Sequence, residues 1–346
     1  MQNKLRIGVI GVGMGSHHIE QFKKIPECEV LAVADTDRAR LAAAADKYAI
    51  EGRFPSAEEM LAKVSLDAVV VATPNKFHAP LTIAALGKGL HVLCEKPMAM
   101  NVTEAEAMEA AADAANRTLM INLSYRFSNM SYALKQQAEA GIVGPIYFGR
   151  TVWHRRRGLP RFGGWFGQRE LSGGGPLIDL GVHRIDLALW LMGHPEPAAV
   201  YGVTYDRIAQ RLAAEEKKDY SVEDLACGLV RFRNGATLEV EASWAVQINE
   251  PEQMITALYG ERGAIVQKNV GGGYEMRAEV YVEEGGNFYT KVLDAATTPA
   301  PSAQQEFVRS ILDQRPPVAT AADGIRVQKI LNGLYRSAAE KREITF

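Results

Sequence analysis

The sequence predicts an α/β chain. A doubly wound parallel sheet fills the first third, and an α+β domain on an open, mostly antiparallel sheet follows. Three observations carry this. Short apolar strands alternate with helical stretches from Leu5 to Leu123. One strand, Asp67–Ala72, is almost continuous Val and Ala, as in a strand buried on both faces of a parallel sheet. The second half turns to alternating segments punctuated by glycine turns.

The elements follow in order. Leu5–Ile10 is the first strand and runs into Gly11-Val12-Gly13-Met14-Gly15-Ser16, with a helix expected over His17–Lys24. Val30–Ala34 is the second strand and ends at Asp35. Arg38–Tyr48 is alanine-rich and helical. Helices are expected at His78–Leu86 and Val102–Asn116, and strands at His91–Cys94 and Thr118–Leu123. The boundary falls near residues 120–128, giving domains 1–124 and 125–346. In the second domain, Pro176 suits the first turn of a helix that carries Asp179 and His183. Strands are expected at Ala198–Tyr205, Leu225–Phe232 and Ala236–Ala245, with Asn234-Gly235 as a hairpin turn. Glycine turns at 260–263, 271–273 and 285–286 imply further antiparallel strands. Helices close the chain at Gln304–Leu312 and Gly324–Ala339, free to pack back on the first domain. Segments 154–170 and 206–224 read as loops.

Composition narrows the function. There are 39 Lys and Arg against 41 Asp and Glu in 346 residues, a net charge of -2. No bulk electrostatic argument therefore points to nucleic acid or an anionic membrane. Arg155-Arg156-Arg157 is the one basic run, and it is short. No apolar run approaches the roughly 20 residues of a membrane-spanning helix, and no signal peptide precedes the first strand. Cys28, Cys94 and Cys227 lie far apart, which fits neither a disulfide framework nor a zinc motif. The expectation is a cytoplasmic protein.

Two motifs carry chemistry. In the first, Gly11 and Gly13 allow a tight turn and close approach to a pyrophosphate, and the next helix offers its amides to the anion. Gly11, Gly13, Met14 and Gly15 are the candidate contacts. Ser16 stands where the third glycine of GxGxxG is expected. Asp35 ends the second strand, where an acid would accept the ribose hydroxyls and repel a 2′-phosphate, which favours NAD over NADP. Arg38 nearby would soften that preference, and Asp35 would also serve as a plain Asx turn or cap. In the second motif, Asp179 and His183 sit four apart, on one face of a helix, among apolar neighbours. A carboxylate beside an imidazole is a proton-transfer unit. Asp186 would extend the pair to a metal site, but no second histidine stands at a ligand spacing, and no metal is expected.

Three further segments are Thr73-Pro74-Asn75 with His78, Glu95-Lys96-Pro97, and the GGGxxxDxGxH segment. With the glycine loop, in this order, the chain resembles the Gfo/Idh/MocA oxidoreductase family of glucose–fructose oxidoreductase and inositol dehydrogenase. The resemblance implies a Rossmann domain followed by a substrate domain whose open sheet joins a homodimer or homotetramer. It implies that Thr73, Pro74, Asn75 and His78 border the nicotinamide, with Glu95 and Lys96 at the domain junction. It also implies Lys96, Asp179 and His183 as the catalytic set. Tyr125-Arg126-Phe127 resembles the family's Arg-Phe segment, although a second basic residue often stands at position 125.

The expected reaction moves a hydride between a secondary hydroxyl of a sugar, glycoside or cyclitol and the nicotinamide. His183 or Lys96 would take the proton. Arg126, Trp153 and His154 are expected at a carbohydrate or polyol substrate, and Trp165 at the cofactor, since aromatic faces stack on sugar C–H faces. The rivals are a keto-sugar reductase, a glycosidase or lyase that retains NAD, and a non-catalytic sensor.

Overall fold

The computed structural model describes residues 4–346. Two compact units emerge: the chain as far as Leu123 with Pro301–Ile325, and Ser124–Ala300 with Arg326–Phe346. Chain order gives β1 Leu5–Ile10, α1 Val12–Phe22, β2 Cys28–Ala34, α2 Arg38–Tyr48, β3 Gly52–Phe54, α3 Ala57–Lys63, β4 Ala68–Val71, α4 His78–Leu86, β5 His91–Cys94, α5 Val102–Ala115 and β6 Leu119–Ile121. Next come α6 Asn129–Glu139, β7 Ile146–Arg155, α7 Arg169–Ser172, α8 Val182–Leu191, β8 Pro197–Tyr205, α9 Arg207–Glu216, β9 Leu225–Phe232 and β10 Thr237–Ser243. The rest are β11 Glu252–Gly260, β12 Gly263–Asn269, β13 Met276–Glu284, β14 Asn287–Val292, α10 Ala303–Leu312, α11 Ala321–Glu340 and β15 Ile344–Thr345.

The first unit holds a six-stranded parallel sheet in the order β3-β2-β1-β4-β5-β6. This is the doubly wound order whose reversal between β1 and β4 opens a ligand crevice at the strands' carboxyl ends. Every residue of β4 is buried, as its Val and Ala run implied. The α10 segment belongs to this unit, and the division of the chain falls within α11.

The second unit holds a nine-stranded sheet, β14-β13-β12-β11-β7-β10-β9-β8-β15. All pairings but one are antiparallel; β7 and β10 run parallel. The α8 helix and the turn before it cover one face, over β7, β10 and β11.

Three expectations change. The first helix starts at Val12, not His17, because the glycine loop is itself helical. The strand β7 lies at the middle of its sheet and runs to Arg155, into a segment read as loop. Residues 207–216 form α9 rather than a loop. Ala209 and Ala213, four apart, bury into a cluster with Trp153, Tyr220 and Trp244, and the Asp224 carboxylate accepts from the Ile208 and Ala209 amides at 2.7 and 2.8 Å.

Arg126 corrects a fourth expectation. It was expected to meet substrate, yet it is fully buried, with Nε and Nη2 bonded to the Asp186 carboxylate of α8 at 2.7–3.1 Å. The same bond takes up the carboxylate weighed as a metal ligand. The pair fastens the 124–127 turn to α8. Removing one partner of such a pair strands the other charge. Arg126→Met should therefore lower unfolding free energy by about 3–5 kcal/mol in urea denaturation. The double variant Arg126→Met/Asp186→Leu should recover most of that loss.

Candidate active site

In the first unit, β1 turns into α1 at Gly11, whose φ is 87°. A Cβ there would collide with the Ala72 carbonyl. A Cβ on Gly15 would meet Val9 Cγ1 at 2.7 Å, so Gly15 is the glycine that lets helix and strand pack closely. The Ser16 hydroxyl folds back to the Val12 carbonyl at 2.7 Å. The motif is GxGxG, and Ser16 takes no part in that close approach. Gly13 and Met14 are exposed at the start of α1.

Asp35 stands at the end of β2 and is nearly enclosed. Its carboxylate accepts from the Val12 and Asp37 amides, both at 2.9 Å. Arg40, not Arg38, lies over it, with Nε and Nη2 each at 3.1 Å. Asp37 caps α2, so its first turn carries residue 40 back over the strand end.

Behind Lys96 lies a buried polar network that sequence reasoning missed. The Glu95 carboxylate receives His18 Nε2, Asn122 Nδ2 and the Lys96 amide at 2.8, 2.8 and 3.1 Å. Gln304 Nε2 lies 2.8 Å from His18 Nδ1. Burial pushes the Glu95 carboxyl up, but the His18 and Asn122 bonds and the Lys96 charge outweigh it and hold the group at about 2. His78 is enclosed too. Its ring nitrogens lie 2.7 Å from the Pro97 carbonyl and 2.9 Å from that of Thr73, so it clips the two loops together. Asn75 is buried and Pro74 half-buried beside it. The Thr73 hydroxyl is buried without a hydrogen-bond partner among the described residues.

In the second unit, Asp179 and His183 sit where the helix changes pitch. Leu177–Gly181 is a π-helical turn, and α8 continues from Val182. A π turn inside a helix is uncommon and often marks a functional site. Asp179 accepts from the Trp244 indole at 3.0 Å. The His183 ring packs against both Tyr125 and Trp153, at centroid distances of 5.1 and 5.7 Å, and the three rings form a triangle.

Trp153 and His154, both expected at substrate, cannot share a face, because neighbours on a strand point oppositely. Trp153 is buried against His183 and bonded to Glu252 at 3.2 Å, so it is wall rather than contact surface. His154 lies on the other face, 3.4 Å from Glu241. Trp165 stacks on Phe166 at 3.8 Å, and Phe166 meets Trp244 edge-on. The aromatic loop thereby leads to Asp179.

Comparison with known proteins decides the family. Residues 5–123 match the oxidoreductase family with an NAD-binding Rossmann fold, and residues 132–266 the GFO/IDH/MocA C-terminal domain. The chain belongs to the GFO/IDH/MocA family. It is 30% identical to the D-glucoside 3-dehydrogenase of Escherichia coli (strain K12), over 96% of this chain and 95% of that one. It is 25% identical to a Thermotoga maritima myo-inositol 2-dehydrogenase, over 98% of each chain. Among solved structures it resembles the aldose-aldose oxidoreductase of Caulobacter crescentus complexed with glycerol. There the TM-score is 0.82 and identity 27%, over 99% of this chain and 100% of that one.

As a member of the GFO/IDH/MocA family this chain is an NAD-dependent oxidoreductase acting on CH–OH groups. The first unit's residues fit the cofactor. Gly11 and Gly15 bring backbone close, α1 begins with no side-chain cap, Asp35 ends β2, and the Thr73 hydroxyl is an orphaned polar group. No group of three His, Cys, Asp or Glu among the described residues could hold a metal ion.

The buried Glu95 makes stability depend on pH. Its folded value lies below the ordinary 4.5. Its stabilisation is therefore complete above that value and is lost as pH falls toward 2. Wild type should exceed Glu95→Gln by about 3 kcal/mol near neutral pH, and urea denaturation should show the gap closing between pH about 4.5 and about 2.

Proposed function

We propose that the protein oxidises a secondary hydroxyl of a glycoside or cyclitol, with His183 as the base. The observation that carries this is the second unit's arrangement: a carboxylate fixed by Trp244 and an imidazole packed against two aromatic rings, on one π-to-α turn. The first unit serves dinucleotide binding and the second substrate binding. The relatives named for glucoside and myo-inositol support the substrate class.

Bound NAD supplies the acceptor for the hydrogen and electron pair leaving the carbinol C–H bond. His183 takes the O–H proton as the C–O bond becomes a carbonyl. Asp179 favours the imidazolium that forms. Lys96 donates to the same oxygen and stabilises developing negative charge. His18, Asn122 and Glu95 hold the backbone at Lys96, and His78 holds the loop at Thr73. Trp165 offers an aromatic face. A cytoplasmic setting suits the three free cysteines.

With NAD and a panel of glucosides, free sugars, anhydrosugars and cyclitols, reduced nicotinamide should accumulate on a polyol subset. Lys96→Ala, Asp179→Asn and His183→Asn should each lower kcat about 10²–10⁴-fold. Near-normal turnover in both Lys96→Ala and His183→Asn would sink the assignment.

The open sheet face supports an assembly of two or four copies. Tyr201, Leu229 and Tyr259 are exposed there, on the side shared with Arg150 and His154 and opposite Trp153. Sedimentation should give an oligomer that Leu229→Asp/Tyr259→Asp weakens. A monomeric wild type at micromolar concentration would contradict this.

A further inference from the structure

Arg184 follows His183 in sequence and is fully buried. Its Nη1 donates to Gln267 Oε1 at 3.0 Å. Among the described residues no hydrogen-bond partner stands at Nε or Nη2 and no carboxylate is bonded to the group; the Tyr125 hydroxyl and the more distant Glu252 charge offset only part of the burial that pushes it down. The guanidinium carbon instead lies 4.4 Å from the centre of the Tyr125 ring and 5.2 Å from that of Trp153. These are the two rings that wall His183, and they meet each other edge-on at 5.4 Å.

A buried cation without a carboxylate is costly. Contact with two ring faces offsets part of that cost, but an apolar side chain of the same volume would fill the space without it. Packing therefore does not explain an arginine here. We infer that Arg184 is a charge-tuning residue: its buried cation, held against the Tyr125 and Trp153 rings, keeps the His183 imidazole neutral and ready to take a proton.

The other charged groups on the surrounding elements leave this effect standing. Arg126 and Asp186 neutralise each other in the buried pair. On β11, Glu252 is bonded to Arg155 of β7, to the Trp153 indole and to the Tyr274 hydroxyl; its charge also favours the Arg184 cation, by less than burial opposes it. Burial raises both the Tyr125 and Tyr274 phenols, so they stay neutral. Asp179 favours the protonated imidazole, whereas Arg184 opposes it. Burial pushes the Arg184 guanidinium down to about 10, which leaves it charged at neutral pH. Two opposed charges thus set the base: the carboxylate stabilises the imidazolium formed in the reaction, and the guanidinium prevents its formation beforehand.

The inference rests on His183 being the base, and the test separates the two claims. The pH dependence of kcat/KM is measured with NAD and the best polyol for wild type, Arg184→Met, Arg184→Gln, Arg184→Lys and His183→Asn. The His183 imidazole is titrated by NMR in the NAD-bound protein, its signal assigned by loss in His183→Asn. Both neutral variants should raise the His183 midpoint and the acidic limb of activity by about one pH unit. Arg184→Lys should stay near wild type. Arg184→Met should also unfold at higher urea than wild type, because an uncompensated charge has left the core. If only one neutral variant folds, the titration of that one decides. An unmoved titration, with turnover lost in His183→Asn, overturns this inference alone. A raised titration with an unmoved activity limb overturns His183 as the base, and the inference with it.

Discussion

Glu223 brings a buried carboxylate to the start of the π turn. There it accepts from the Gly175 and Leu177 amides at 2.9 and 3.2 Å and from the Tyr335 hydroxyl at 2.7 Å. These amides belong to the first turn of a helix, which lacks intrahelical acceptors. Hydrogen bonds to a charged group are worth about 1.5–3 kcal/mol each. Burial still raises the Glu223 carboxyl, so the bonds offset much of its desolvation without cancelling it. A Cβ on Gly174 would strike Tyr335, and one on Gly175 the Glu223 backbone. The glycine run is thus the imprint of this carboxylate and tyrosine. With that end fixed, the π turn places Asp179 at the Trp244 indole and α8 sets His183 against Tyr125 and Trp153.

The first unit uses the same device. Glu95 sits behind the Lys96 loop as Glu223 sits behind the Asp179 turn. In each case a buried carboxylate takes backbone and side-chain donors and ties together parts of the chain that are distant in sequence. His18 comes from α1 and Gln304 from α10, 286 residues apart. Both carboxylates are satisfied, although the Asn122 Oδ1 of the Glu95 network is buried without a hydrogen-bond partner among the described residues. They account for how short loops can hold chemically active side chains in fixed positions.

The alternation of strand and helix made the first unit legible, and the Asn234-Gly235 turn gave the β9–β10 hairpin. The glycine loop was legible as chemistry, but the packing role of its third glycine was not. That Gly15 comes one place early is visible in the sequence, but only the clash of a Gly15 Cβ with Val9 shows that it makes the close approach of the third glycine. The middle strand of the second sheet was obscured by its aromatics and arginines, which suggested a mobile loop. Recognising the strand would have separated Trp153 from His154 by the two-residue period alone. The signal for α9 was present in Ala209 and Ala213, masked by the charges around them. Arg126, Trp244 and the Glu95 and Glu223 networks were not legible, since their roles depend on partners supplied by distant segments. The helix carrying Asp179 and His183 was readable from the sequence, while its π turn was not.

We propose that Lys96 and His183 serve a single proton transfer at one hydroxyl. A double-mutant cycle on kcat, using Lys96→Ala, His183→Asn and the combination with NAD and the best polyol, tests it most directly. Residues that act as a unit are strongly non-additive. The double variant should therefore fall no more than about tenfold below the slower single variant. If the two losses multiply in full, the residues act independently, and the shared role assigned to them is wrong.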